Sequence, residues 1–173
     1  RDRLAEIRAL PYTFSNRHFA CAHGDFTAPQ DFGYILCADD AKGSFSACER
    51  GLMFVGHTHE AKVWALTPNN EMEISGIGRI ELKSGYRYIV DVGSVGYPRH
   101  NLFSSYALYD SGAGTVVTRP VAPQDLLGSI LERCGIDPDS KFPEFTGVDA
   151  PLLPKESDAG RLREIYPRKG ENK

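Results

Sequence analysis

Two histidines separated by one residue follow a short apolar run near the middle of the chain. Residues 52–55 are apolar, Gly56 ends the run, and His57 and His59 stand on either side of Thr58. This pattern predicts a buried strand that leads into a loop. Because a neutral imidazole nitrogen binds Zn, Mn, Fe or Ni, the pair is a candidate metal site. A turn at Gly56 would let the two rings diverge toward two ions, whereas an extended chain would place both on one face, where they could share one ion.

Two other predicted strands also end at residues that suit metal or phosphate chemistry. One ends at His23, and the other is followed by the segment GSVGYPR at residues 93–99. In that segment, Gly93 and Gly96 would let backbone N–H groups approach an oxyanion closely. Arg99 carries a planar set of donors that matches phosphate. Since neighbouring strand ends can meet at one edge of a sheet, we predict that these segments lie together with the two histidines.

The elements that would position these residues are mostly strands. Apolar spacing predicts helices at residues 1–10, 41–50 (stopped by Gly51) and 124–134 (closed by Gly135). Alternation and turn residues predict a brief strand at Phe14 and longer strands at residues 17–22, 52–55, 61–66, 71–74, 79–82, 86–92, 105–110 and 115–121. The last helix carries an apolar stripe of Leu126, Leu127, Ile130, Leu131 and Cys134. We therefore expect one domain at residues 1–122, a packing helix at 123–135 and an irregular tail at 136–173, which contains five prolines.

Composition excludes several classes of protein. With 173 residues and 41% apolar residues, the chain is long enough to build the core of one domain. No apolar run is long enough to span a membrane, and a net charge of −3 gives no basic patch for nucleic acid. The cysteines show no CxxC spacing, so we expect reduced thiols in a cytoplasmic protein. They are Cys21, Cys37, Cys48 and Cys134.

In their order along the chain, these segments resemble the calcineurin-like metallophosphoesterases. Within that family, the small bacterial and archaeal phosphodiesterase branch has a histidine–glycine pair after a strand, then GHTH, then GSVGxPR. The corresponding residues are His23-Gly24, residues 56–59 and residues 93–99. The Leu10-Pro11 pair before the first of these strands is also similar. The resemblance covers roughly residues 10–120.

The resemblance implies an α/β fold, namely the C-terminal half of a four-layer α/β/β/α sandwich, mostly β with a few helices. It implies two divalent transition-metal ions, of Mn, Fe, Zn or Ni, at the strand ends of the complete protein. His23 and His57 would help to hold one ion and His59 the other, so that His57 and His59 are catalytic. The substrate side would be lined by Gly93, Ser94, Gly96 and Arg99. The implied reaction is hydrolysis of a phosphomonoester or phosphodiester, for example a nucleotide.

Three motifs that begin the family's pattern, DxH, GDxxDxG and GNH(D/E), do not occur in this sequence. In the family they supply most of the carboxylate and amide ligands. Two divalent cations held by imidazoles alone would leave about four positive charges uncompensated, which a low-dielectric site penalises. We therefore expect this sequence to be the C-terminal portion of a dinuclear site, completed by a segment before Arg1 or by another chain. Asp25 and Asp91 are near the motifs in sequence, but neither stands at a ligand position, and Asp91 replaces the family's usual Asn.

Two other functions remain open. One is a non-catalytic remnant that acts as a binding module and forms a homo-oligomer through open sheet edges. The other is a hydrolase with a single zinc ion held by His23, His57 and His59, with an open position for water. His18 and His100 are interpreted as surface or packing residues, and Trp64 as part of the sheet core.

Overall fold

The computed structural model of the chain describes residues 3–99, 103–138, 140 and 162. Its helices are α1 (Arg3–Arg8), α2 (Ala38–Ala47) and α3 (Pro123–Arg133), with a 3-10 helix at Pro29–Asp31. Its strands are β1 (Thr13–Ser15), β2 (Ala20–Ala22), β3 (Leu52–Val55), β4 (Lys62–Leu66), β5 (Met72–Ser75), β6 (Arg79–Glu81), β7 (Arg87–Asp91), β8 (Ser104–Asp110) and β9 (Thr115–Val121). The chain divides into two compact units, Arg1–Arg119 and Pro120–Lys173.

A six-stranded sheet forms the centre of the first unit. Its strand order is β1-β2-β3-β7-β4-β5, and β2, β3 and β7 are parallel neighbours. β4 pairs antiparallel with β7 on one side and with β5 on the other. Because β7 lies between β3 and β4, the loop that connects β3 to β4 has to cross the end of β7. β6, β9 and β8 form a second, three-stranded sheet.

The six-stranded sheet is covered on both faces, as the alternating side chains of β3 show. Met53 and Val55 belong to the core cluster that includes Ala41 and Phe45 of α2. Leu52 belongs to a second cluster with Val116 of the three-stranded sheet, and Phe54 packs against that cluster. Since successive strand residues face opposite sides, α2, the large sheet and the small sheet form three successive layers. The chain is thus a mixed α/β fold dominated by strands with few helices, as predicted.

Every predicted strand is present, but two element boundaries differ for identifiable reasons. β2 is shorter than the predicted strand 17–22, because the Asn16 side chain accepts the N–H groups of His18 and Phe19 at 2.8 and 2.9 Å and forms a turn there. α2 begins earlier than predicted, because the Asp40 carboxylate accepts the N–H groups of Leu36 and Cys37 at 2.9 and 3.0 Å. The Leu36 N–H, together with Cys37, also lowers the pKa of Asp40.

The second unit contains α3, whose buried face is not the predicted apolar stripe. Leu127 and Ile130 are 45 and 44% exposed, and the buried residues of the helix are Asp125, Gly128 and Ser129. The Ser129 hydroxyl donates to the Asp125 carbonyl at 2.7 Å and accepts the Leu162 N–H at 3.0 Å. This small and polar face therefore contacts the following chain at Leu162. Gly135, with φ +80°, ends the helix as predicted.

The remaining predictions concern the tail, membrane-spanning helices, the cysteines and Trp64. The predicted tail at 136–173 lies outside the described residues, except for residues 136–138, 140 and 162. In the part of the chain that is described, no helix is both long and apolar enough to cross a membrane. The four cysteines are free thiols, as predicted. Trp64 is 2% exposed and lies in the sheet core, also as predicted.

Candidate metal centre

Three strand ends meet at one edge of the large sheet, because β2, β3 and β7 run parallel and adjacent. His23 follows β2, the loop 56–60 follows β3, and Gly93 follows β7 closely. Backbone bonds join these ends. The Gly56 N–H donates to the His23 carbonyl at 3.0 Å, and the Val92 N–H donates to the Val55 carbonyl at 2.9 Å. The structure therefore brings together the three segments that the sequence singled out.

The chain turns directly after Gly56 instead of remaining extended. His57 and His59 have φ angles of +66° and +62°, in the left-handed region that residues with a side chain rarely adopt. The Thr58 N–H donates to the Gly56 carbonyl at 2.7 Å and closes the turn. Such backbone strain persists only where the surroundings enforce it, and it is common at functional sites. The two imidazoles consequently point to different neighbours.

His57 meets His23. The His57 Nδ1 and His23 Nε2 atoms are 3.0 Å apart. Two imidazole nitrogens that each lie about 2.1 Å from one ion would be roughly 3.0 to 3.4 Å apart, for bond angles between octahedral and tetrahedral. The observed distance fits two ligands of a single cation. These two residues could therefore hold one of the two ions that the fold family implies.

Aromatic rings surround the His57 side chain. Tyr34 stacks on it with 4.2 Å between ring centroids, and Phe32 lies 6.2 Å away. Burial lowers the pKa of His57, and the positive charges of His23, Arg99 and His59 lower it further. A lowered pKa keeps the ring neutral near pH 7, which is the form that binds metals. Neither aromatic residue was predicted from the sequence, in which the only signal is their place in the loop that follows His23.

His59 faces the loop 93–99. Its Nδ1 lies 2.7 Å from the Tyr97 carbonyl oxygen. A carbonyl can only accept, so Nδ1 carries the proton and Nε2 keeps its lone pair. A backbone carbonyl that fixes the tautomer in this way is typical of metal-binding histidines. The lone pair of His59 Nε2 therefore remains for a ligand, since within the described residues this nitrogen has no hydrogen-bond partner.

Packing and hydrogen bonds within the chain fix the loop 93–99, and they use donors that an anion would need. Gly93 has φ +76°, and a Cβ there would lie 2.1 Å from the Ser105 hydroxyl oxygen, so the position requires glycine. Its N–H donates to Asp91 at 3.0 Å and is already used. The Ser94 hydroxyl accepts the Tyr97 N–H at 3.0 Å. A Cβ at Gly96 would meet no atom of the described residues within 4 Å.

Arg99, one of the residues predicted to bind the substrate, carries a positive charge that affects His57. Its side chain is exposed, and its positive charge contributes to the lowered pKa of His57. Its backbone nitrogen lies 3.5 Å from the His59 carbonyl oxygen. The effect on His57 shows that the guanidinium charge is close enough to influence that imidazole.

Asp25, the carboxylate nearest to His23 in sequence, stabilises a turn. Its carboxylate accepts the N–H groups of Thr27 and Ala28 at 3.1 and 3.2 Å and so shapes a turn.

Glu60 pairs with Lys62 at 3.5 Å. His18 is exposed at the turn before β2 and accepts a hydrogen bond from Arg17, consistent with a surface role. His100 lies outside the described residues.

The sequence analysis gave no role to a buried pair beneath the histidines. The Thr58 hydroxyl lies 2.6 Å from an Asp91 carboxyl oxygen, and Asp91 is 1% exposed. Burial raises the pKa of Asp91 to about 7, although the hydrogen bonds from Thr58 and Gly93 act in the opposite direction. The available signal was an aspartate at the end of an otherwise apolar strand.

The histidines do not form a complete metal site. Among residues 3–99, 103–138, 140 and 162, no three His, Cys, Asp or Glu side chains are grouped so that they could hold one ion. This counts against a single zinc ion shared by His23, His57 and His59. The physical reason is the turn after Gly56, which directs His59 away from the other two rings.

Comparison with known proteins gives a likeness among solved structures. No protein-family model matches the chain, and no curated protein matches it. Among solved structures, the chain is similar to the crystal structure of a metallophosphoesterase from Sphaerobacter thermophilus, with a TM-score of 0.60 and 26% sequence identity. The match covers 78% of this chain and 58% of the other, so this chain spans less than two thirds of that protein. The likeness supports the metallophosphoesterase superfamily as the origin of the fold.

Proposed function

We propose that this chain, with its metallophosphoesterase-like fold, is part of a metal-dependent enzyme that hydrolyses phosphate esters. The observation that carries the proposal is the 3.0 Å approach of His57 Nδ1 to His23 Nε2, at the ends of two adjacent parallel strands. Two neutral imidazoles at this separation match two coordination positions of a divalent ion. The likeness to a solved metallophosphoesterase supports the same activity.

Each site residue of this chain would have its own role in binding metal or phosphate. His23 and His57 hold one ion, and His59 offers its Nε2 to the second, since its Nδ1–H is fixed by the Tyr97 carbonyl. The lowered pKa of His57 keeps its lone pair free at neutral pH. Arg99 binds phosphate oxygens through its guanidinium. When bound, two divalent ions supply Lewis-acid activation of the phosphoryl group and of the attacking water.

We also propose the identity of the metals, the substrate class and the compartment that the sequence predicted. The metals are Mn, Fe, Zn or Ni, and the substrate is a phosphomonoester or phosphodiester such as a nucleotide. Since no three His, Cys, Asp or Glu side chains of the described residues are grouped to hold an ion, we propose that carboxylates from outside those residues, in the same polypeptide or another chain, neutralise the ions. The cytoplasm, where reduced thiols persist, is the proposed compartment.

The test measures both metal content and hydrolysis by the natural polypeptide. After loading with Mn²⁺, it should hydrolyse p-nitrophenyl phosphate or bis(p-nitrophenyl) phosphate. His57→Ala should lower kcat/KM by at least about 100-fold, because even groups that only orient a metal ligand are worth about 10- to 100-fold. The matched control is His18→Ala, an exposed histidine away from the site. Equal activity of the two variants, or hydrolysis that persists after metal removal, would contradict the proposal.

A non-catalytic binding module remains the second candidate. Two observations favour it: no complete metal-binding group lies within the described ranges, and β1 at the sheet edge exposes Phe14 by 54%. An open edge strand can pair with another chain. Two tightly bound metal ions per chain, or hydrolysis that His57→Ala abolishes, would eliminate this candidate. A dimer that binds no metal and has no activity would favour it over the enzyme.

A further inference from the structure

A buried carboxyl lies directly under the loop that carries the two histidines. Asp91 is the last residue of β7, and its register partners are Val55 of β3 and Lys62 of β4. The loop 56–60 leaves β3 and enters β4, so it crosses above Asp91. With 1% of its surface exposed, Asp91 is enclosed at a point where it contacts both this loop and the loop 93–99.

Thr58 is the residue through which the upper loop is held. It is 7% exposed and stands between two histidines that are more exposed. Its hydroxyl lies 2.6 Å from Asp91 Oδ2 and accepts the Glu60 N–H at 3.0 Å. The inward direction of Thr58 requires both neighbours to turn outward. This is consistent with the positive φ angles of His57 and His59.

The same carboxyl also holds the second loop. Asp91 Oδ1 accepts the Gly93 N–H at 3.0 Å. The glycine is fixed further by the Ser105 hydroxyl, which donates to the Val92 carbonyl at 2.8 Å. Tyr97, whose carbonyl binds His59, lies in this loop. One side chain therefore joins the loop that bears the imidazoles to the loop that fixes the tautomer of His59.

We propose that Asp91 and Thr58 are a pair of positioning residues, which hold the loops 56–60 and 93–99 in the arrangement that makes His57 and His59 diverge. The purpose of this positioning rests on the proposed function, whereas the positioning itself does not depend on metal or activity. A buried carboxyl is costly, and a packed apolar residue is often as stable or more stable at such a place. Its two hydrogen bonds to separate loops supply a reason for its presence that packing alone does not.

Hydrogen-bond chemistry predicts which substitutions preserve the pair. In Asp91→Asn, the amide oxygen can accept the Gly93 N–H while the amide nitrogen donates to the Thr58 hydroxyl. That hydroxyl can then donate to the Glu60 carbonyl, which is 3.3 Å away. Thr58→Ser keeps the hydroxyl. Asp91→Ala deprives the Gly93 N–H of its acceptor and ends the link to Thr58, whereas Thr58→Val leaves the second Asp91 oxygen without its partner.

The test follows the histidine rings themselves by long-range ¹H–¹⁵N NMR, first without metal and then with Zn²⁺ alone. In Asp91→Ala and Thr58→Val, we expect the ring resonances of His57 and His59 to move toward those of the exposed His18, and zinc affinity to fall by about 10- to 100-fold. Asp91→Asn and Thr58→Ser should restore both. Thr67→Val is the matched control, since Thr67 is equally buried but accepts the Glu71 N–H after β4.

Unchanged ring resonances in a folded Asp91→Ala or Thr58→Val variant would overturn the inference. Failure of Asp91→Asn to rescue, or an equal effect of Thr67→Val, would overturn it as well. If Asp91→Ala does not fold, Thr58→Val breaks the same contact with a side chain of the same shape and decides the question. If the unaltered protein binds neither Zn²⁺ nor the Mn²⁺ of the activity assay, the proposed function fails, whereas the metal-free resonances still decide whether the pair positions the loops.

Discussion

Asp91→Asn should remove a specific part of the pH dependence of stability. Burial raises the pKa of Asp91 from its ordinary 3.8 to about 7 in the folded protein. The folded state therefore keeps this proton at pH values where the unfolded state has lost it. For a group whose pKa is raised on folding, the stabilisation is fully present below the unfolded pKa and is lost as the pH rises through the folded pKa. Asparagine does not titrate, so the variant should lack this loss.

The size of the effect follows from the two pKa values. A difference of about three pKa units corresponds to about 4 kcal/mol over the whole range. Between about pH 5 and about pH 8, about 2 to 3 kcal/mol of it is lost. For a urea dependence of about 2 kcal/mol per molar, this shifts the unfolding midpoint by about 1 M. Fluorescence suits the assay, because the single tryptophan, Trp64, is 2% exposed in the core.

The assay compares urea midpoints at the two pH values in buffer that contains a chelator. Between the lower and the higher pH, the urea midpoint of the unaltered protein should fall by about 1 M more than the midpoint of Asp91→Asn. Asp110→Asn is the control, because the N–H groups of Ala113 and Gly112 lower the pKa of Asp110, so that this carboxylate titrates below the range tested. If Asp91→Asn shows the same pH dependence as the unaltered protein, the account of Asp91 as a buried and protonated carboxyl is wrong.

Three further predictions test the site and the core. Gly93→Ala should destabilise the protein by about 1 to 3 kcal/mol or more in thermal unfolding, because of its φ of +76° and the crowding of a Cβ; Gly96→Ala, where a Cβ meets nothing, should change stability by less than about 0.5 kcal/mol. Tyr34→Ala should raise the pKa of His57 in an NMR titration, since the stacked ring contributes to its burial; an unchanged pKa would contradict this. Ile89→Ala, at a fully buried position, should cost about 2 to 5 kcal/mol in urea unfolding, and a loss below about 1 kcal/mol would place Ile89 outside the core.

The strands could be predicted from sequence because their signals are local. The apolar run before Gly56 and the alternation around Trp64 each predict a strand within a residue of its observed bounds. Strand order is not local, and nothing in the sequence indicated that β7 lies between β3 and β4. For that reason the contact between Thr58 and Asp91, which depends on this order, could not be predicted.

The candidate site was predicted in its residues but not in its geometry. Histidine is a metal ligand by its chemistry, so the positions of His23, His57 and His59 could be singled out from the sequence. Whether the rings shared one ion or diverged depended on two φ angles that residue types do not determine. The free N–H expected at Gly93 is instead used by Asp91. The apolar stripe on α3 was wrong as the buried face, because helical periodicity does not reveal which side contacts the chain.

In the proposed site, His23 and His57 share one cation while His59 binds another. A titration of the natural polypeptide with Zn²⁺, followed at the ring nitrogens by long-range ¹H–¹⁵N NMR, tests this arrangement. We expect His23 Nε2 and His57 Nδ1 to shift together along one binding curve, and His59 Nε2 to follow a separate curve with Nδ1 still protonated. A joint response of His57 and His59 without His23, or shifts no larger than those of His18, would contradict it.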